Sequence, residues 1–246
     1  MRTALFADIH ANREALEACL SHAKNNRIDR YVFLGDYVGY GADPVFAIET
    51  VMNYVERGAI ALLGNHDAAA LEPDPRMNDV AFAAMEWTRR RLGPAHLAFV
   101  KGLPLTYEEG GRLYVHANTY APGGWEYVTG LYAASRCMMA TSAQAIFCGH
   151  THVPMLFHMS LTGKVASFEP VDRVDIPLMA RRRWLAVIGS VGQPRDHNPA
   201  ASYAILDAAH GILTYIRVPY DVAAAARKIR DAGLPVALSY RLAEGH

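Results

Sequence analysis

The sequence predicts an α/β fold. Strand-then-helix units repeat three times within about the first 70 residues, polar residues stand at the ends of the apolar runs, and short β segments dominate beyond Met155. Arg2 to Ala7 is an apolar run that stops at Asp8-Ile9-His10, and Ala11 to Asn26 then carries Leu16, Cys19, Leu20 and Ala23 at helical spacing. Arg30 to Leu34 reads as a buried strand, followed by the loop Gly35-Asp36-Tyr37-Val38-Gly39-Tyr40-Gly41. Asp43-Pro44 then reads as an N-cap and first-turn proline of a helix running to about Arg57. Ala59 to Leu63 is a third strand, closed by Gly64-Asn65-His66-Asp67. Such units predict parallel pairing with right-handed crossovers.

Asn78 to Lys101 is mostly helical, with a break at Gly93-Pro94. Strands return at Arg112 to Val115, ending in His116, and at Ala145 to Cys148, ending in Gly149-His150-Thr151-His152; a helix from Leu131 to Thr141 lies between them. The segments Met155 to Met159, Trp184 to Ile188, Tyr203 to Leu206 and Ile212 to Val218 suggest a second sheet packed on the first. Helices from about Asp221 to Asp231 and from Val236 to Leu242 close the chain, either capping the core or pairing two chains. Neither a linker nor a repeat divides residues 1–246, so one domain is expected.

Composition narrows the function. The 246 residues contain 24 Lys+Arg and 24 Asp+Glu, a balance that argues against gripping extended nucleic acid through its phosphates. No apolar stretch approaches the roughly 18 residues of a membrane span, and the N-terminal run is shorter than a signal segment, so a cytoplasmic location is expected. Cys19, Cys137 and Cys148 are widely spaced and form no thiolate metal motif. The 11 histidines are the unusual feature.

Five strand ends carry chemistry-bearing side chains: Asp8 with His10, Asp36, Asn65 with His66, His116, and His150 with His152. Ligand sites of open α/β sheets lie at the carboxyl ends of parallel strands, so these residues are expected to converge. The i, i+2 spacing of Asp8/His10 and His150/His152 would point each pair to one side of an extended backbone. Carboxylate, imidazole and amide donors suit manganese, iron, zinc or nickel. In a two-metal hydrolytic site the cations stand about 3.5–4 Å apart and need an anionic bridge; Asp36 is the best placed.

The ordered motifs Asp8-x-His10, Gly35-Asp36, Gly64-Asn65-His66-Asp67, His116 and Gly149-His150-x-His152 resemble those of the calcineurin-like metallophosphoesterases. Asp8-Ile9-His10-Ala11-Asn12, Gly39-Tyr40-Gly41, the segment 189–196 and Val218-Pro219-Tyr220-Asp221-Val222 resemble the bacterial phosphodiesterase branch of that family. The resemblance implies a four-layer αββα sandwich and two divalent or trivalent transition-metal ions, manganese foremost. One would be held by Asp8, His10, His152 and bridging Asp36, the other by Asp36, Asn65, His116 and His150. It further implies in-line attack on phosphorus by a metal-bridging hydroxide, with His66 beside the phosphorus and Asp67 orienting its ring. The implied activity is hydrolysis of small soluble phosphoesters by a phosphodiesterase; a phosphomonoesterase or protein phosphatase on the same site, and a non-catalytic interaction module, are the alternatives.

Outside the motifs, His22, His96, His158, His197, His210 and His246 read as surface or core residues, and Arg89-Arg90-Arg91 and Arg181-Arg182-Arg183 as solvated faces. Arg195 either binds a substrate phosphate or pairs with an acid such as Asp196. Tyr120, Trp125 and Tyr127 either stack on a nucleobase or pack under the following helix. Related bacterial sequences often carry Ser-Pro-Arg after the equivalent of His116-Ala117, where this chain has Asn118-Thr119-Tyr120.

Overall fold

The computed structural model describes residues 1–246. The chain runs β1 (Arg2–Phe6), α1 (Arg13–Asn25), β2 (Arg30–Phe33), α2 (Pro44–Val55), β3 (Ile60–Ala61), α3 (Asn65–Leu71), α4 (Asp79–Arg89), α5 (Pro94–Lys101), β4 (Thr106–Glu109), β5 (Arg112–Val115), α6 (Leu131–Met139) and β6 (Ala145–Cys148). It continues through β7 (Met155–Met159), β8 (Val165–Phe168), β9 (Asp175–Pro177), β10 (Arg183–Val187), β11 (Ala201–Asp207), β12 (Ile212–Val218), α7 (Val222–Asp231) and α8 (Val236–Glu244). Two six-stranded mixed sheets result, ordered β3-β2-β1-β11-β12-β9 and β4-β5-β6-β10-β7-β8. β1, β2 and β3 are parallel, as are β5, β6 and β10.

The two-residue period of each strand builds the layers. Leu5 and Ala7, Val32 and Leu34, Ala145 and Phe147, and Ala204 and Leu206 point inward and fill the space between the sheets. Ala4, Phe6 and Phe33 point outward and pack with Leu16, Cys19 and Ile48 of α1 and α2. On the opposite outer face Ile146 and Cys148 meet Ala134, Cys137 and Met138 of α6. The helices therefore flank a sheet pair, giving the expected αββα order.

Several details depart from the sequence reading. β3 pairs with β2 over only two residues; beyond it the backbone N–H of Leu62 still donates to the carbonyl of Phe33 in β2, while that of Leu63, on the outer edge, donates to the carbonyl of Pro104, both at 2.9 Å. Asn65 to Leu71 is helix rather than turn, so the Asn-His-Asp motif forms a helical first turn. β4, β8 and β9 have no buried apolar run; β8 and β9 are edge strands, made by ladder pairing rather than burial, and Pro177 suits such an edge. Asp43 occupies the N-cap position of α2 but makes no capping hydrogen bond. Its carboxylate instead accepts from Lys228 at 2.8 Å, and Lys228 also reaches Glu14 at 2.6 Å. That link seats α7 on the starts of α1 and α2. Ile229, Leu238 and Leu242 close over Tyr40, Ala81 and Ala84, so the terminal helices cap the core beside the loop that carries Asp36.

Candidate metal centre and phosphoester site

Parallel pairing puts the carboxyl ends of β1, β2 and β3 at one edge, and the turns leaving them carry Asp8, His10, Asp36 and Asn65. β5 and β6 deliver His116, His150 and His152 to the same place. Asp8, His10, Asp36, His116, His150 and His152 are all buried. The same-side placement does not come from an extended pleat as the i, i+2 spacing suggested. Asp8, His10, Asp36, His150 and His152 have φ of 54°, 49°, 58°, 70° and 62°. Left-handed backbone at non-glycine residues costs free energy and is kept where surrounding contacts enforce it.

Those contacts are specific. Ser190 Oγ donates to the carbonyl of Asp8 at 2.8 Å, and the backbone N–H groups of Val191 and Gly192 donate to the carbonyls of Ala7 and Asp8, both at 2.9 Å. Asn12 follows the turn, donating to the Gly192 carbonyl at 2.8 Å while its oxygen caps α1 through the N–H of Ala15 at 3.1 Å. The 189–193 stretch is thus a clamp on the Asp8 turn.

Asp8 with His10 and His152, and Asp36 with His116 and His150, form two donor groups, and His10, Asp36 and His66 form a third that overlaps both. Asp36 joins them. Its Oδ1 accepts the backbone N–H of His66 at 2.8 Å, leaving Oδ2 3.6 Å from His10 Nε2 and 3.4 Å from His116 Nε2. Asn65 Oδ1 lies 3.1 Å from His116 Nε2, adding an amide oxygen to the second group.

Four imidazoles are oriented by main-chain carbonyls. His10 Nδ1 meets Val38 O at 3.2 Å, His116 Nδ1 meets Leu34 O at 2.8 Å, His152 Nδ1 meets Gln193 O at 2.6 Å, and His150 Nε2 meets Trp125 O at 2.8 Å. A carbonyl only accepts, so each of those nitrogens carries the proton and the opposite nitrogen keeps its lone pair. The freed atoms then face one another, His10 Nε2 to His152 Nε2 at 3.1 Å and His116 Nε2 to His150 Nδ1 at 3.2 Å. Buried lone pairs held face to face beside two carboxylates are what transition-metal cations require. Burial opposes charging His116, but Asp36 outweighs it and raises the group to about 9, so at neutral pH a proton competes with a cation for His116 Nε2.

Residues 1–211 match the calcineurin-like phosphoesterase superfamily domain. The chain belongs to that superfamily. An uncharacterized protein of Methanocaldococcus jannaschii is 35% identical over 245 residues, covering 97% of this chain and 96% of its own length. The crystal structure of a metallophosphoesterase from Sphaerobacter thermophilus is 37% identical with a TM-score of 0.89, covering 100% of this chain and 99% of that one. A hypothetical protein of Pyrococcus horikoshii shares the fold, with a TM-score of 0.78 at 21% identity over 100% and 98% of the two chains. The buried His/Asp clusters of this metallophosphoesterase are consistent with a dinuclear metal site.

One assignment implied by the resemblance needs correction. Asp67 does not orient the His66 ring, because both its oxygens are taken by backbone N–H groups: Oδ2 by Asp36 at 2.7 Å and Gly64 at 3.1 Å, Oδ1 by Tyr37 at 2.9 Å and Val38 at 3.3 Å. Asp67 organises the Asp36 loop. His66 Nδ1 has no hydrogen-bond partner and stands where a Cβ on Gly39 would come within 2.5 Å, so glycine is required there by close approach as well as by a φ of +86°. Burial lowers His66 to about 4, leaving a neutral ring beside His10 and Tyr40.

Asp196 pairs with Arg217, not with Arg195. The Arg195 guanidinium instead touches Gln193 Oε1 at 3.0 Å and the Tyr40 hydroxyl at 3.5 Å. Tyr120 packs against the α6 cluster, whereas Trp125 and Tyr127 line an open cleft of about 320 Å³ beside His66 and His150. Asn118 supports this loop, accepting from Ala121 N–H at 2.8 Å and donating to the Glu126 carbonyl at 3.2 Å. The sequence reading missed Tyr40, Arg76 and the orienting carbonyls. Tyr40 and Arg76 line the cleft; main-chain acceptors leave no signal in side-chain identity. The remaining histidines sit away from the cluster, His22 against Tyr203, His158 against Arg182 and His197 against His246. No helix is long and apolar enough to cross a membrane.

Proposed function

We propose that this metallophosphoesterase is a phosphodiesterase acting on small soluble phosphoesters. The observation that carries the reading is Asp36 Oδ2 lying between His10 and His116, so that one carboxylate serves both donor groups next to a cleft of about 320 Å³. A cleft of that size suits a small ester rather than an extended polymer. In this reading Asp8, His10, His152 and Asp36 hold one ion, and Asp36, Asn65, His116 and His150 the other, manganese being the first candidate and iron, zinc or nickel the others. Two bound cations would supply positive charge for the phosphoryl oxygens and acidify water to a nucleophile at neutral pH.

The protein's own groups do the rest. His66 stands beside the cleft without a partner at Nδ1, and because burial keeps its ring neutral it serves as a hydrogen-bond donor to a phosphoryl oxygen rather than as the acid that protonates the leaving oxygen. Arg195, free of any carboxylate, and the Tyr40 hydroxyl beside it bind the ester's anionic oxygens and fix its orientation. Ser190 and the cysteines take no nucleophilic part; the Ser190 hydroxyl is committed to Asp8.

The test is hydrolysis of bis-p-nitrophenyl phosphate against p-nitrophenyl phosphate by manganese-loaded protein. Faster turnover of the diester, lost in Asp36→Ala and reduced by orders of magnitude in His66→Ala, is expected. Preference for the monoester assigns a phosphomonoesterase instead, and no metal-dependent turnover of either rejects the reading.

A further inference from the structure

The polar cleft is not the only hollow at the metal cluster. On the far side of Tyr127 lies a second, of about 400 Å³, walled by Tyr127, Val128, Val153, Met155 and Phe157, with Thr151 at its edge. Tyr127 lines both. Its ring stacks on His150 at 4.2 Å and 11°, yet the residue is 52% exposed, so the ring is a wall between two spaces and not a buried filler. Thr151 stands between His150 and His152 in the chain, and its hydroxyl is spent on the carbonyl of Val153 at 3.3 Å. The second hollow therefore abuts the donor cluster directly.

The two spaces differ in chemistry. The first contains Asp74, Arg76, Asn65, Asn78 and His66, while no charged side chain lines the second. We propose that the second hollow is a subsite for an uncharged apolar arm of the substrate, an aromatic ring or a branched aliphatic group esterified to the phosphoryl group held at the cluster. The proposal rests on the phosphoester reading above and narrows it. A charged arm placed there would lose its hydration without finding a partner, whereas an apolar arm gains from leaving water. The volume falls within the roughly 300–1,000 Å³ of small-molecule sites, which are mostly apolar with a few polar groups at one end. Tyr127 offers the arm a face to stack on, and continuity with the phosphoryl site makes a substrate arm its occupant rather than a separate ligand.

Phosphonates with a single arm test this without ambiguity about which arm goes where. On the manganese-loaded protein, calorimetry should find phenylphosphonate binding about tenfold tighter than methylphosphonate, the gain expected from burying one ring. Met155→Glu and Thr129→Asp place charge in or at the mouth of the hollow and should abolish that advantage while leaving methylphosphonate affinity unchanged. Thr129 is exposed, so its variant keeps the fold even if Met155→Glu does not. Equal affinities in the wild type, or an advantage that survives both variants, overturn the subsite and leave the phosphoester reading standing. Failure of methylphosphonate to bind at all counts against that reading itself and removes the subsite with it. A dimer in sedimentation velocity that Thr129→Asp or Met155→Glu dissociates would assign the hollow to a second copy of the chain, which also overturns the proposal.

Discussion

The carboxylate of Asp67 accepts the backbone N–H of Asp36 at 2.7 Å, so the residue next to His66 in sequence acts on the residue that joins the two donor groups. Three further backbone N–H groups, from Tyr37, Val38 and Gly64, share the same side chain. Burial and the nearby Asp36 raise Asp67 to about 7, so part of what these bonds contribute is offset by the cost of a buried charge.

Asp67→Ala removes both the cost and the acceptors. Each buried N–H left unpaired costs about 1–3 kcal/mol, so a net loss of about 3 kcal/mol is expected, read as a lower midpoint in denaturant unfolding. His66→Ala, which removes no hydrogen bond made by the ring at Nδ1, should leave stability within about 1 kcal/mol and lower turnover by about 10²–10⁴. If Asp67→Ala instead keeps wild-type stability and lowers turnover as His66→Ala does, Asp67 serves the ring after all.

Arg195 separates a phosphate contact from a structural one. Its guanidinium has an amide oxygen and a phenol as neighbours and no carboxylate partner, since Asp196 is occupied by Arg217. Arg195→Ala should raise KM about tenfold or more, with Arg195→Lys recovering part of the loss, because a point charge replaces a fork. A lower melting temperature with unchanged KM would assign Arg195 to packing of the Tyr40 loop.

How far these features were legible depends on what carried them. The donor set was readable because strand periodicity and parallel pairing predict where Asp8, Asp36, His116 and His150 go, and such residues are rarely buried without partners. The short β segments beyond Met155 suggested a second sheet, whereas the αββα order was implied by the family resemblance; a run such as Ala4-Leu5-Phe6-Ala7 is apolar throughout because both its faces are covered. The short edge strands β8 and β9 were invisible because pairing, not an apolar pattern, makes them. The left-handed backbone at Asp8 and His10 and the acceptance of His150 by the Trp125 carbonyl were invisible for a related reason: both are set by main-chain contacts among segments more than a hundred residues apart or by loop conformation.

The thiols should be silent. Cys19, Cys137 and Cys148 are all fully buried, and burial pushes each pKa up, which suppresses the reactive thiolate. Native protein is expected not to react with Ellman's reagent over minutes, and to release three equivalents of thiol once unfolded in guanidinium. A fast-reacting thiol in the native state would show that a helical face opens, the α1 face if it is Cys19 and the α6 face if it is Cys137 or Cys148.

Gly64 gives the sharpest test of the Asp36 geometry. A Cβ at this position would lie 2.2 Å from Asp36 Oδ1 and 2.3 Å from its backbone nitrogen, distances that only movement of the Asp36 turn can relieve. The conflict is one of space, since Gly64 has an ordinary φ of −101°. Because Asp36 Oδ2 sits between His10 and His116, shifting that turn should disturb both donor groups together. Loaded with manganese, the wild type is expected to retain two equivalents and Gly64→Ala less than one, with a loss of about 10²-fold or more in turnover, as misplacement of about 1 Å commonly costs. Gly130→Ala is the control: nothing lies within 4 Å of its added Cβ, and metal content and turnover should match the wild type. Full metal content in Gly64→Ala, measured by plasma mass spectrometry after gel filtration, would mean that Asp36 does not join the two groups.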